Sequence, residues 1–150
     1  MLKLGNNRFE GEISGAIFTS SLTFFDVELN RLEGEIPSGV FEARGLTQFN
    51  VGKNRMEGAI SKDFEKLRDL EILILSQNNF SGEVPKELGK LSELVVLDVG
   101  YTDVEGSMPE DICELLDFNL VYLASDCNDK GPKGGDFECE CCTICYPIHG

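Results

Sequence analysis

The most reactive side chains in this sequence are six cysteines, Cys113, Cys127, Cys139, Cys141, Cys142 and Cys145, all confined to one end of the chain. Two chemistries suit them. Cys142-x-x-Cys145 has the spacing of a zinc-ligand pair, and Cys139 and Cys141 would complete a four-thiolate set, leaving Cys113 and Cys127 over. The alternative is disulfide bonding, in which an even cysteine count staples a segment that builds little core of its own. Disulfides are favoured and no metal is expected, which implies an oxidising compartment. The connectivity stays open, because six cysteines allow 15 pairings. Only a bridge between the neighbours Cys141 and Cys142 is disfavoured on geometric grounds.

Other catalytic chemistry is poorly supplied. The single histidine, His149, lies in the terminal tail, where a Ser-His-Asp or Cys-His arrangement would have to reach it. Carboxylates are abundant, but in an acidic protein they are mostly solvated. No phosphate-cradling glycine loop is present, and the expectation is a protein without enzymatic activity or cofactor. The net charge of −14 argues against nucleic acid and anionic membranes as partners, since both need clustered Lys and Arg. No apolar run is long enough to span a bilayer, and no secretory signal is visible.

The elements that would position any site come from a repeat. Leu22, Leu46, Leu70 and Leu94 recur every 24 residues. Counting each as position 1, Asn7, Asn30, Asn54 and Asn78 share position 9, and Gly11, Gly34, Gly58, Gly82 and Gly106 share position 13. Position 15 is apolar in every unit, and position 16 is Pro37, Pro85 or Pro109, relaxed to Ser14 and Ser61. A fixed period of this length signals a solenoid. Positions 4 and 6 alternate with outward residues as in a strand buried on one face. An inward amide at position 9 both donates and accepts, so the four Asn residues form a structural ladder for turn backbone. Gly at 13 suits a positive φ or a close approach between coils, and Ile-Pro at 15–16 leads into a short helical turn.

The spacing predicts an α/β solenoid. It is a right-handed superhelix with a parallel concave sheet, a short 3-10 or irregular convex side and a disulfide-rich C-terminal cap. Residues 1–117 hold about five units, the first incomplete, and residues 118–150 form the cap. Within the cap, residues 120–127 read as one more strand, with Tyr122 at position 3. Asn128–Asp136 is a loop by composition. Because Leu2 and Leu4 already occupy strand positions, we expect the chain to be the C-terminal part of a longer protein that begins with further coils.

These columns resemble the plant-type extracellular leucine-rich repeat, with its L-x-x-L-x-L-x-x-N-x-L-x-G-x-I-P core, across residues 1–117. The tail, Ile112-Cys113 followed by Ser125-Asp126-Cys127 and Cys139-x-Cys-Cys-x-x-Cys145, is similar to the cap of leucine-rich repeat proteins from diatoms and related algae, with Ser125 where that pattern tends to have Ala. The resemblance implies an extracellular or cell-surface recognition module, part of a receptor-like or secreted protein. It would bind a protein, peptide or glycan on the concave face, with a co-receptor among its partners. It also implies N-glycosylation at Asn79, in the sequon Asn79-Phe80-Ser81. The alternatives are a structural or adhesive surface component, or an inhibitor of secreted polysaccharide-degrading enzymes.

Outward strand positions 3, 5 and 8 supply the candidate ligand-binding residues: Phe24, Asp26, Asn50, Ile72, Ile74, Val96, Asp98 and Tyr101. Ile72, Ile74 and Val96 form an apolar centre, with Tyr101 at its edge and Asp26, Asn50 and Asp98 around it. An apolar centre inside a polar rim is the pattern of a binding patch. β-branched residues also favour strands for their own packing, so the pattern admits a purely structural account.

Overall fold

The computed structural model describes residues 1–127 and 137–146. The expected 128–136 loop and His149 lie outside the described residues. Strands alternate between two parallel sheets. The odd-numbered strands β1 (Leu2–Lys3), β3 (Phe24–Asp26), β5 (Gln48–Asn50), β7 (Ile72–Ile74), β9 (Val96–Asp98), β11 (Tyr122–Asp126) and β13 (Ile144–Tyr146) form the concave sheet in that order. The even-numbered strands β2 (Glu10–Glu12), β4 (Arg31–Gly34), β6 (Arg55–Ala59), β8 (Asn79–Glu83), β10 (Asp103–Ser107) and β12 (Phe137–Glu138) form a second sheet. On the convex side each coil makes a short 3-10 turn. In the last repeat a four-residue helix, α1 (Glu110–Cys113), takes its place before another 3-10 turn at Glu114–Asp117.

Positions 4 and 6 fill the core. Phe25, Phe49, Leu73 and Leu97 stack from coil to coil at 1% exposure or less. Phe25 and Phe49 lie face to face with ring centroids 5.4 Å apart, and Phe64 meets Phe49 edge-on at 5.7 Å. Position 9 supplies the turn with its missing partners. Asn78 donates to Leu75 O of its own coil and Val51 O of the preceding one, and its Oδ1 accepts from Met56 N. Asn54 and Asn30 repeat the pattern one and two coils back. Asn7, at the exposed first coil, donates only within its own turn. Thr102 donates to Val99 O at 2.7 Å. The convex turns begin at position 16, where proline fixes φ. Where Ser replaces it, the hydroxyls of Ser14 and Ser61 accept from the N–H two residues on and cap the turn instead.

The second sheet is a feature that the repeat pattern did not announce. Positions 10–14 pair in a register sheared by two residues per coil, which sets Glu10 opposite Arg31 and Glu33 opposite Arg55. Every Gly at position 13 has a positive φ, between 79° and 88°. At Gly34 and Gly58 the Glu of the preceding coil also lies across the missing side chain: a Cβ would stand 2.9 Å from Glu12 Cγ and 2.8 Å from Glu35 Cγ. Gly82, preceded by Ala59 at that place, has open space. The conformation therefore demands glycine, and the close approach is secondary.

The cap also departs from the expectation of an irregular tail. Tyr122 pairs with Val96, which fixes β11 in the register beginning at Leu120. Two further strands follow: β12 adds to β10, burying Phe137 to 1% exposure, and β13 adds to β11. Three disulfides hold this end together: Cys113–Cys141 runs from α1 into the cap, Cys127–Cys145 ties the residue after β11 to β13, and Cys139–Cys142 closes a short loop between β12 and β13.

Candidate functional site

Sheet pairing sorts the outward side chains of the concave face into rows. The position-3 row runs Phe24, Gln48, Ile72, Val96 and Tyr122, each opposite the next. The position-5 row runs Lys3, Asp26, Asn50, Ile74, Asp98, Ala124 and Ile144. Phe24, Ile72, Ile74, Val96 and Tyr122 are half-buried. With strands about 4.8 Å apart, Ile72, Ile74, Val96 and Tyr122 make one apolar strip across three coils.

The polar members of the patch are placed differently from expectation. Asn50 and Asp98 are only 3% and 8% exposed. The cause is the turn after each strand, in which position 8 takes a left-handed conformation at Asn6, Leu29, Lys53, Gln77 and Tyr101, with φ between 53° and 58°. The position-5 side chain folds forward to cap it. Asp26 Oδ1 accepts from Glu28 N at 3.0 Å, Asn50 Oδ1 from Gly52 N at 3.0 Å and Asp98 Oδ1 from Gly100 N at 3.1 Å. Such Asx turns tie up the oxygen that a ligand would otherwise meet. Asn50 and Asp98 therefore serve the turn from beneath the surface, Asp26 does so from a half-buried position, and the patch is more apolar than the sequence implied.

Charge on the face lies toward its N-terminal half. Lys53 and Glu28 pair at 2.6 Å, and Asn50 Nδ2 also donates to Glu28. The hydrogen bond from Lys53 is the main reason that the Glu28 carboxyl sits below the usual carboxylate range. At the C-terminal end the pattern inverts. Burial pushes the Asp98 carboxyl up, against donation from Gly100 N–H, Ser76 and Tyr146 and the charge of Lys53. Burial also raises Asp126, whose Oδ2 accepts from Tyr101 N at 2.8 Å, and the Asp98 charge raises it further.

Tyr146 on β13 is the residue that sequence reading missed at this site. Its ring lies over Gly100 and 4.8 Å from the Tyr101 ring, so Tyr101 is half-buried beneath the cap and not at a free edge. Its hydroxyl donates to Asp98 Oδ2 at 3.1 Å and lies 2.8 Å from the Tyr122 hydroxyl. No periodic signal marked Tyr146, because β13 lies in a cysteine-rich stretch outside the repeat. Asn79 is exposed at the start of β8 on the second sheet, while Phe80 of the same sequon is buried. The sulfur atoms of Cys127, Cys139 and Cys142 lie within 4.8 Å of one another, but each is spent in a bridge and offers zinc no thiolate.

This architecture is a leucine-rich-repeat solenoid. Residues 69–91 match the Leucine Rich Repeat family model, and no curated protein matches the sequence. The fold is similar to ectodomains of plant membrane receptors. It superposes on the plant peptide hormone receptor RGFR1 in complex with RGF2 with a TM-score of 0.78 at 25% identity, over 83% of this chain and 20% of that one. A TDR receptor matches with a TM-score of 0.78 at 31% identity, over 83% of this chain and 22% of that one. The leucine-rich repeat ectodomain of the receptor kinase SOBIR1 from Arabidopsis thaliana matches with a TM-score of 0.75 at 25% identity, over 99% of this chain and 72% of that one. The chain thus spans about a fifth of the length of RGFR1.

Proposed function

We propose that this chain is a non-catalytic, extracellular recognition module that binds an extended peptide across its concave sheet. The observation that carries this reading is the apolar strip Ile72, Ile74, Val96 and Tyr122, which lies on the outward face of a sheet whose inward face already supplies the core. Packing of these side chains across the strands accounts for part of their alignment, and a partner's apolar side chain gains further by burying what they leave exposed. The likeness to RGFR1 in complex with RGF2 supports a peptide ahead of a glycan. Three disulfides favour an oxidising, extracellular setting, in which Asn79 is an accessible glycosylation site. The nearer kinship of the cysteine-rich cap with diatom and algal proteins is part of the same proposal.

The test is to pan a random peptide library against the folded chain and repeat the binding with Ile72→Asp. Enriched peptides should share an apolar anchor and lose about a hundred-fold in affinity on Ile72→Asp, since a buried unpaired carboxylate costs several kcal/mol. Circular dichroism should show an unchanged fold. Peptides that bind Ile72→Asp as well as the parent would sink the concave-face reading. Diffuse, salt-sensitive association unaffected by any concave substitution would favour the adhesive alternative.

A further inference from the structure

The C-terminal end of the concave face holds a slot that the chain fills with its own side chain. Gly100 forms the floor, the Tyr101 ring forms a wall, and the Asp98 carboxylate and the Tyr122 hydroxyl close the polar end. Asp98 Oδ1 accepts from Gly100 N–H, and Oδ2 accepts from the phenol of Tyr146. A residue other than glycine at 100 would drive its Cβ into the Tyr146 ring, so the floor is shaped to an aromatic plane. Burial and its hydrogen-bonded neighbours keep Tyr146 well above the ordinary phenol range, so it is un-ionised and donates.

The occupant is attached differently from its surroundings. The wall and floor belong to the repeat, whereas Tyr146 comes from a three-residue strand paired only with β11 among the described residues. The Cys127–Cys145 bridge pins that strand at the residue before Tyr146, and Cys145 is exposed. The slot also continues the apolar strip: Asp98 lies opposite Ile74, and Tyr122 lies opposite Val96.

We propose that this slot is a binding subsite for an un-ionised phenol, the side chain of a tyrosine in a peptide partner, and that Tyr146 occupies it as an internal stand-in that such a partner displaces. The proposal rests on the concave face being the ligand surface. Its chemistry follows from the surroundings: the Tyr101 ring packs against a second aromatic ring, and a buried carboxylate and the Tyr122 hydroxyl hydrogen-bond a neutral phenol hydroxyl. Asp98 and Asp126 together repel an anionic aryl group. While Tyr146 stays in place, the apparent affinity for an outside phenol falls by the fraction of molecules with the slot open.

The test uses small probes, so it is independent of any natural peptide. p-Cresol and toluene are titrated into wild type and Tyr146→Ala while the amide resonances of Gly100, Tyr101 and Ala124 are followed by NMR. Tyr146→Ala should show saturable shifts at these amides with p-cresol. Toluene, which lacks the hydroxyl, should bind it about ten-fold more weakly, the worth of one hydrogen bond to a charged acceptor. Wild type should bind p-cresol at least about ten-fold more weakly than Tyr146→Ala. A folded Tyr146→Ala protein without saturable shifts, or equal binding of the two probes, overturns the subsite. If Tyr146→Ala does not fold, the Cys127→Ser/Cys145→Ser variant, which unpins the strand and keeps the ring, takes the same titration. Shifts absent there overturn the proposal too. Failure of the slot would leave the Ile72 test of the concave face standing, and failure of the Ile72 test would not explain a loss of p-cresol binding.

Discussion

At the scale of single residues, the C-terminal end of the concave face is an unusual electrostatic environment. Asp98 and Asp126 are both buried, both have raised pKa values, and the charge of Asp98 raises Asp126. A carboxyl whose pKa is higher in the folded than in the unfolded state contributes stability that is full below the ordinary value of 3.8 and is lost as the pH rises through the raised value. This end of the molecule should therefore tighten on mild acidification, opposite in sign to Glu28, whose lowered pKa means that its contribution is lost as the pH falls. All three tyrosines of the chain, Tyr101, Tyr122 and Tyr146, meet here, and there is no tryptophan. Intrinsic fluorescence therefore reads this cluster directly. A fluorescence titration should show a midpoint above 3.8, and Asp98→Asn should move the remaining Asp126 step downward by removing a like charge. A midpoint that does not move on Asp98→Asn would mean that the two carboxyls do not feel each other.

At the scale of the element, the coil was largely legible and the second sheet was not. Leu, Asn, Gly and Pro recur because each solves a problem that comes round once per coil, and such periodic problems leave periodic residues. The strands of the second sheet bury at most one side chain each, as Met56 does in Arg55–Ala59, while Glu10–Glu12 buries none, and their Gly reads as a turn, so no alternating pattern announced them. Position 5 misled for a related reason: alternation gives the side a residue leaves the strand from, but not that an Asp or Asn then bends forward to cap a left-handed turn. On the convex side the coils approach closely enough for a prediction. A Cβ on Gly89 would sit 2.6 Å from both Cβ and O of Asp111 on α1. Backbone cannot swing aside as a side-chain tip can, so Gly89→Ala should lower stability by about 1–3 kcal/mol, as overpacking does. By contrast, Gly45→Ala, whose nearest new neighbour is Ser20 O at 3.9 Å, should be close to neutral. Urea unfolding of the two variants tests the ranking, and equal midpoints would show that the convex turns are not packed this tightly.

At the scale of the whole molecule, the central question is how a solenoid carrying a net charge of −14 ends. Each coil is covered by the next, and beyond the last repeat a segment of different sequence must take over that covering. Here the cap extends both sheets by one strand each, supplies Phe137 to the core and is tied down by three bridges. The cysteine content foretold the staples, but strands β12 and β13 carry too few residues for a pattern, and the pairing follows from which elements the bridges must join. Cys113–Cys141 spans 28 residues and anchors the cap to α1, so its removal should cost about 3–4 kcal/mol by loop entropy. Cys139–Cys142, with a separation of 3, constrains the unfolded chain far less. Intact mass under non-reducing, metal-free conditions should show no alkylated thiol and a deficit of two hydrogens per bridge, six in all, for the three bridges. Partial reduction with cyanylation should then return the pairs 113–141, 127–145 and 139–142, and urea unfolding of Cys113→Ser/Cys141→Ser should show the largest loss of the three paired variants. Six alkylatable thiols in the native protein would remove the covalent cap, restore the zinc-ligand spacing of Cys142 and Cys145 as the better account, and with it withdraw the main support for an extracellular receptor-type role.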